Sequence, residues 1–279
     1  MASILALFSS FLWGSADYLA GNLSKKFKPI AVTGASQAFG LLVGLILVIG
    51  SGSYIAPNLS WDGYFLPAIG AGIAGFLGLV SFYSGLSTGR MGVVSPISTL
   101  SAVIPLTFAF LSGERPTSIQ IFGMAIAVFG AFCASGPDIL KGLPVKPLLY
   151  GVGAALGFGI ALTFMAQGSK TSSLLTMTAM RVISVSFCVF LALRFRSIGG
   201  FGRSNIFILA VIGATDFAAN LLLGVATTKG LVSIAMVFGS LFPIVTALLA
   251  FRFLHERLHR VQYLGIFFAV AGVSLISIG

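Results

Sequence analysis

A chain of 279 residues that is 57% apolar and only 8% charged, with a mean hydropathy of +1.07, is no soluble globular domain. Such domains carry about 25% charged residues. The formal net charge of +10 does not mark a nucleic-acid binder either, because the basic residues are spread over loop ends with no aromatic-lined basic patch. They read as orientation signals where helices end.

A run of roughly 20 apolar residues spans a bilayer. Ten such runs occur, in coarse bounds 3–24, 30–51, 63–87, 92–112, 117–136, 147–168, 173–195, 204–228, 232–251 and 261–279. They are too long for barrel strands and do not alternate, so they are expected to be helices with every backbone group satisfied internally. The first run lacks a basic start and a small-residue cleavage site, so it is expected to span rather than to be removed. It carries Trp13, Gly14 and Asp17. The second holds Gln37 and the pair Gly40 and Gly44. The third is crowded with Gly70, Gly72, Gly75 and Gly78 and contains Tyr83. Glycines of this kind let helix backbones approach where lipid offers no hydrophobic drive to association.

The fourth run contains Pro96 and Pro105, and the ninth contains Pro243. Each is a candidate kink, since proline removes a helical hydrogen bond. The sixth run holds Gly153, Gly157, Phe158, Thr163 and Gln167, the seventh Arg181, and the eighth Asp216 and Asn220. Cys133 and Cys188 stand outside any metal or redox spacing and read as packing residues.

Two segments match across a fixed interval. Glu114, Arg115, Gln120, Gly123 and Gly130 recur as Glu256, Arg257, Gln262, Gly265 and Gly272, 142 residues later. Trp13-Gly14 corresponds to Phe158-Gly159, and Pro105 to Pro243. A long-period self-match marks a duplicated unit. The units are read as 1–140 and 141–279. Five helices per unit is an odd number, so the second copy enters the membrane in the opposite sense, as in inverted-repeat transporters. Between the proline and the glutamate the second copy has four more residues, about one helical turn. The ends of the fourth and ninth spans are therefore expected to differ.

Of six acids, Asp62 and Asp138 fall in loops, and Glu114 and Glu256 fall at span ends beside an arginine, where capping or local pairing accounts for them. Asp17 and Asp216 remain inside spans, with Arg181 the one intramembrane base. Such charges are costly in lipid and face a bundle interior. They are candidates for substrate binding or proton coupling, or else for helix-to-helix hydrogen bonds, with Arg181 neutralising Asp216 as the favoured role for that arginine. Trp13, Gln37, Tyr83, Phe158, Thr163, Gln167 and Asn220 are candidate cavity residues. No ATP-binding G-x-x-x-x-G-K-[ST], no H-E-x-x-H and no third ligand beside His255 and His259 is found, so neither a cofactor nor a metal is expected.

The Trp13-Gly14-Ser15 opening, with Gly113-Glu114-Arg115…Gln120…Gly123 and His255-Glu256-Arg257…Gln262…Gly265, resembles the EamA family of the drug/metabolite transporter superfamily, which includes YddG-like amino-acid exporters. The resemblance implies an all-α polytopic membrane protein with ten transmembrane helices in two inverted five-helix repeats around a central cavity. It also implies a bacterial inner membrane and export of amino acids or similar small metabolites. A monomer is expected, with the bilayer, a small-molecule substrate and protons as partners. Rival readings are a proton-independent facilitator or exchanger, multidrug efflux, and a membrane scaffold without flux. Family members keep both termini in the cytoplasm. The loops argue otherwise: with the first end inside, outside loops hold twelve Lys and Arg and inside loops only Arg115, Lys170 and Lys229.

Overall fold

The computed structural model describes residues 1–88, 91–134, 145–195, 199–253 and 259–279, with the side chains of 91–93 and 250 left aside. All regular elements among the described residues are helical. In chain order they are α1 (Ala2–Ser24), α2 (Pro29–Ser51), α3 (Phe65–Ser87), α4 (Met91–Thr99), a 3-10 turn (Leu100–Ala102), α5 (Val103–Leu111), α6 (Ser118–Ala134), α7 (Val145–Phe195), α8 (Arg203–Thr227), α9 (Val232–Gly239), α10 (Phe242–Phe253) and α11 (Arg260–Ile278). Among the described residues, eight helical stretches are long and apolar enough to cross a membrane, and α6 is a shorter apolar helix. Ile4, Phe8, Leu193 and Phe207 stand exposed on the outside of the bundle, the arrangement of a multi-pass membrane protein whose outer face meets lipid.

The sixth and seventh runs are two helical arms, labelled together α7, that meet at Ser172, whose backbone is extended (φ −163°, ψ 112°). The Ser172 hydroxyl accepts from Leu175 N–H at 3.2 Å and so caps the second arm. The fourth run is α4, a 3-10 turn and α5, and the ninth is α9 and α10 with a break at residues 240–241. The breaks lie ahead of Pro105 and Pro243 rather than at them. These prolines are the third residue of α5 and the second of α10, where a helix needs no N–H donor. Pro96 lies inside α4, which continues past it to Thr99, so the expected kink there does not interrupt the helix. On the Pro105–Pro243 register Leu111, the last residue of α5, corresponds to position 249; α10 continues to Phe253.

The recurrent residues have structural roles. Gln120 and Thr117 cap α6 reciprocally: Thr117 N–H donates to Gln120 Oε1 at 3.0 Å and Gln120 N–H to Thr117 Oγ1 at 3.3 Å. Gln262 repeats this at α11 by accepting from His259 N–H at 2.9 Å, and it also donates to Ala134 O at 3.3 Å. Gly123 and Gly130 of α6 lie against Gly272 and Gly265 of α11 so closely that an added Cβ would meet backbone. The order of those contacts makes the two helices antiparallel. Glu114 does not pair with its neighbour. Its carboxylate accepts from Val232 N–H at 2.7 Å, Ser233 N–H at 3.1 Å and Ser233 Oγ–H at 2.7 Å, capping the first turn of α9. Arg115 donates to the Phe110 and Glu114 carbonyls instead. Glu256, His255, Arg257, Asp138 and the expected 140/141 boundary lie outside the described residues. Cys133 is the penultimate residue of α6, not mid-helix, and Cys188 lies in the second arm of α7; neither forms a disulfide.

Candidate functional site

Glycines set where the broken helices stand. Gly14 of α1 packs at the start of α10, where a Cβ would lie 2.5 Å from Phe242 O and from Val245. Gly159 of α7 packs at the start of α5, where a Cβ would lie 2.8 Å from Ser101 O and 2.5 Å from Ile104. The residues before these glycines, Trp13 and Phe158, thereby face the space between the breaks. Phe242 completes the wall, meeting Trp13 edge-on at 6.3 Å, while Phe82 packs edge-on behind both Phe158 and Phe242.

The result is a central cavity of about 70 Å³. Trp13, Asp17, Gln37, Phe158, Arg181, Asp216 and Asn220 all line it, near the middles of their helices. Sequence spacing alone had not singled out Ser101, Ser184, Gly239, Ser240 or Phe242, which also line it. Pro105 and Pro243 stand in the first turns after the two breaks, close to the lining residues Ser101 and Gly239. The prolines were visible signals of this; Ser184, one turn after Arg181, was the other.

Asp216 is the hub of the polar groups. Its Oδ2 accepts from Arg181 Nη2 at 2.7 Å and from Gln37 Nε2 at 3.1 Å. Its Oδ1 accepts from Trp13 Nε1 at 3.1 Å and from Asn220 Nδ2 at 3.2 Å. Ser184 Oγ–H donates to Gln37 Oε1 at 3.1 Å, which fixes the amide so that its NH₂ faces Asp216. The Asp216 carboxylate is therefore matched by four donors, one of them its ion-pair partner Arg181, as a buried charge requires. Gly40 of α2 makes room for this pair, since a Cβ there would lie 3.2 Å from Arg181 Nε.

Asp17 is buried to 7% exposure beside the same cavity and is held differently. Tyr83 O–H donates to its Oδ1 at 3.3 Å, and this is its one hydrogen bond among the described residues. Tyr83 itself does not line the cavity; it backs Asp17 rather than forming a wall. Two other candidates also lie elsewhere. Gln167 donates to Trp61 O at 3.3 Å and Thr163 to Gly159 O at 2.9 Å, so both serve packing. No cluster that could hold a metal occurs among the described residues.

Comparison with known proteins agrees with a chain built of two repeats. A solved crystal structure matches with a TM-score of 0.79, covering 99% of this chain and 97% of that one at 16% identity, a likeness of fold. An uncharacterized protein of Methanocaldococcus jannaschii is 26% identical over 132 residues, which are 47% of this chain and 96% of that protein. That relative is thus about one half of this chain in length. The sequence model of the EamA-like transporter family matches twice, over residues 1–136 and 145–278. The chain, matched over nearly all its length, is a member of the EamA-like transporter family.

Proposed function

We propose that this protein is a secondary transporter of small metabolites, working by alternating access around the central cavity. Ten spans form two inverted five-helix halves, 1–140 and 141–279, that rock against each other. The observation that carries this reading is the cavity itself: a largely apolar pocket with a few charged and polar side chains near the helix middles, bordered by two helices broken at corresponding places. Broken helices at a central site are characteristic of inverted-repeat transporters. The antiparallel pairing of Gly123 with Gly272 and of Gly130 with Gly265 supports an axis lying in the membrane plane. The cross-packing of Gly14 on α10 and Gly159 on α5 supports it as well, because each half then braces the broken helix of the other.

The chemistry rests on Asp17, a carboxyl without an ion pair among the described residues. It is the coupling group, taking a proton or a substrate amine, while Arg181 and Asp216 fix the helices around it. Export of amino acids or related amines from a bacterial inner membrane is the direction and substrate range that family resemblance supports. Transport of radiolabelled metabolites into proteoliposomes tests the proposal. Wild-type protein gives saturable flux that a proton gradient accelerates, and Asp17→Asn protein folds but loses that acceleration. Flux that ignores the gradient in both proteins assigns a facilitator instead. No flux for any member of a broad amine and amino-acid panel removes the transport reading.

A further inference from the structure

The charges around the cavity do not balance. Among the described residues three charged side chains line it: Asp17, Arg181 and Asp216. Arg181 is matched to Asp216 at 2.7 Å, and both are almost wholly buried. Among the same residues Asp17 has only the Tyr83 hydroxyl. With Asp17 ionised, the cavity carries one uncompensated negative charge. A buried charge left unmatched is costly, and an occupant of opposite sign removes that cost.

Resting on the transport reading, we infer that the substrate is a monocationic amine without a free carboxylate, its ammonium group seated on Asp17. A zwitterion brings no net charge. Its carboxylate would bring back as much negative charge as its ammonium removes, so the imbalance would stay in place. A monocation closes the balance without disturbing the pair. A further feature favours a cation. The walls are aromatic: Trp13, Phe158 and Phe242 present π-systems to the same space, and such faces attract ammonium groups.

Matched compounds separate charge from shape. The purified full-length protein in nanodiscs is titrated by calorimetry with phenylethylamine, phenylalanine methyl ester and phenylalanine, and with isoamylamine and leucine. In a mildly acidic buffer that keeps the ester's weakly basic amine protonated, the amines and the ester, all monocations there, are expected to bind at least about tenfold more tightly than the zwitterions. Asp17→Asn is expected to abolish that preference and Asp17→Glu to keep it. Zwitterions binding as tightly as the amines overturn the inference, as does a preference that survives in Asp17→Asn. The wild-type comparison stands by itself should either variant fold poorly. Amino-acid counterflow in proteoliposomes with equal binding of both classes would overturn the amine assignment and leave transport standing.

Discussion

Among the described residues, Asp216 receives four hydrogen bonds, one of them from its ion-pair partner Arg181, with donors from α1, α2 and α7 as well as its own helix, whereas Asp17 receives one hydrogen bond at the edge of the same cavity. The two carboxyls are similarly buried, at 7% and 6% exposure. Burial therefore does not separate them; donor supply does. A carboxylate with every acceptor site filled has little free energy to gain from a ligand and mostly holds helices in place. One with sites to spare can exchange a proton or an ammonium group for water as the cavity opens and closes. Function is to be sought at the less satisfied of the two.

Substitutions at the hub break this contrast most sharply. Asp216→Ala leaves Arg181 buried without its counter-ion and is expected to cost about 3–5 kcal/mol of stability. Replacing both by apolar residues, Arg181→Met with Asp216→Leu, recovers most of that loss. Thermal unfolding in detergent measures both; a mild Asp216→Ala would show the hub is not what fixes these helices. Gly40→Ala is the next largest. Its Cβ would press on Arg181 Nε at 3.2 Å and on Gly213 O at 3.1 Å, an overpacking worth about 1–3 kcal/mol. Because it strains the hub and not Asp17, amine binding is expected to change less than stability does. Smallest is Tyr83→Phe, which removes the single donor to Asp17 for about 0.5–1.5 kcal/mol. A double-mutant cycle with Asp17→Asn isolates that contact. A coupling as large as the loss at Asp216 would erase the distinction between the two carboxyls.

The recurrent residues were the easiest to read and turned out to build the frame. Gln120 and Gln262 are helix caps, and the glycines of α6 and α11 are a close antiparallel contact. Glu114 was legible as a capping residue, yet not that it caps α9, which lies 118 residues further on. Sequence spacing cannot show which helix start a loop carboxylate will reach. The same holds for Trp13. It reads as a cavity aromatic, but its indole N–H is committed to Asp216 across 203 residues. Tyr83 reads as a wall and stands behind Asp17. Gln167 reads as polar lining and instead meets the Trp61 carbonyl of a loop. A helix's polar face can be inferred from periodicity, but whether that face meets a cavity, a loop or a neighbour depends on helix rotation and depth.

The sequence by itself determined the membrane class, the helical state and the duplication. Each follows from local or summed properties: apolar run length, the need to satisfy backbone groups without water, and a repeated register. It also isolated Asp17, Arg181 and Asp216, because charge inside an apolar run is conspicuous. Only the tertiary structure decided which of them pair. A 2.7 Å contact between Arg181 on α7 and Asp216 on α8, with Gln37 and Trp13 closing around it, arises from how four helices are rotated and packed. That packing leaves Asp17 short of partners. The energy of a buried charge depends on the donors within about 3 Å of it, a quantity set by three-dimensional placement and not by the residue's own place in the chain.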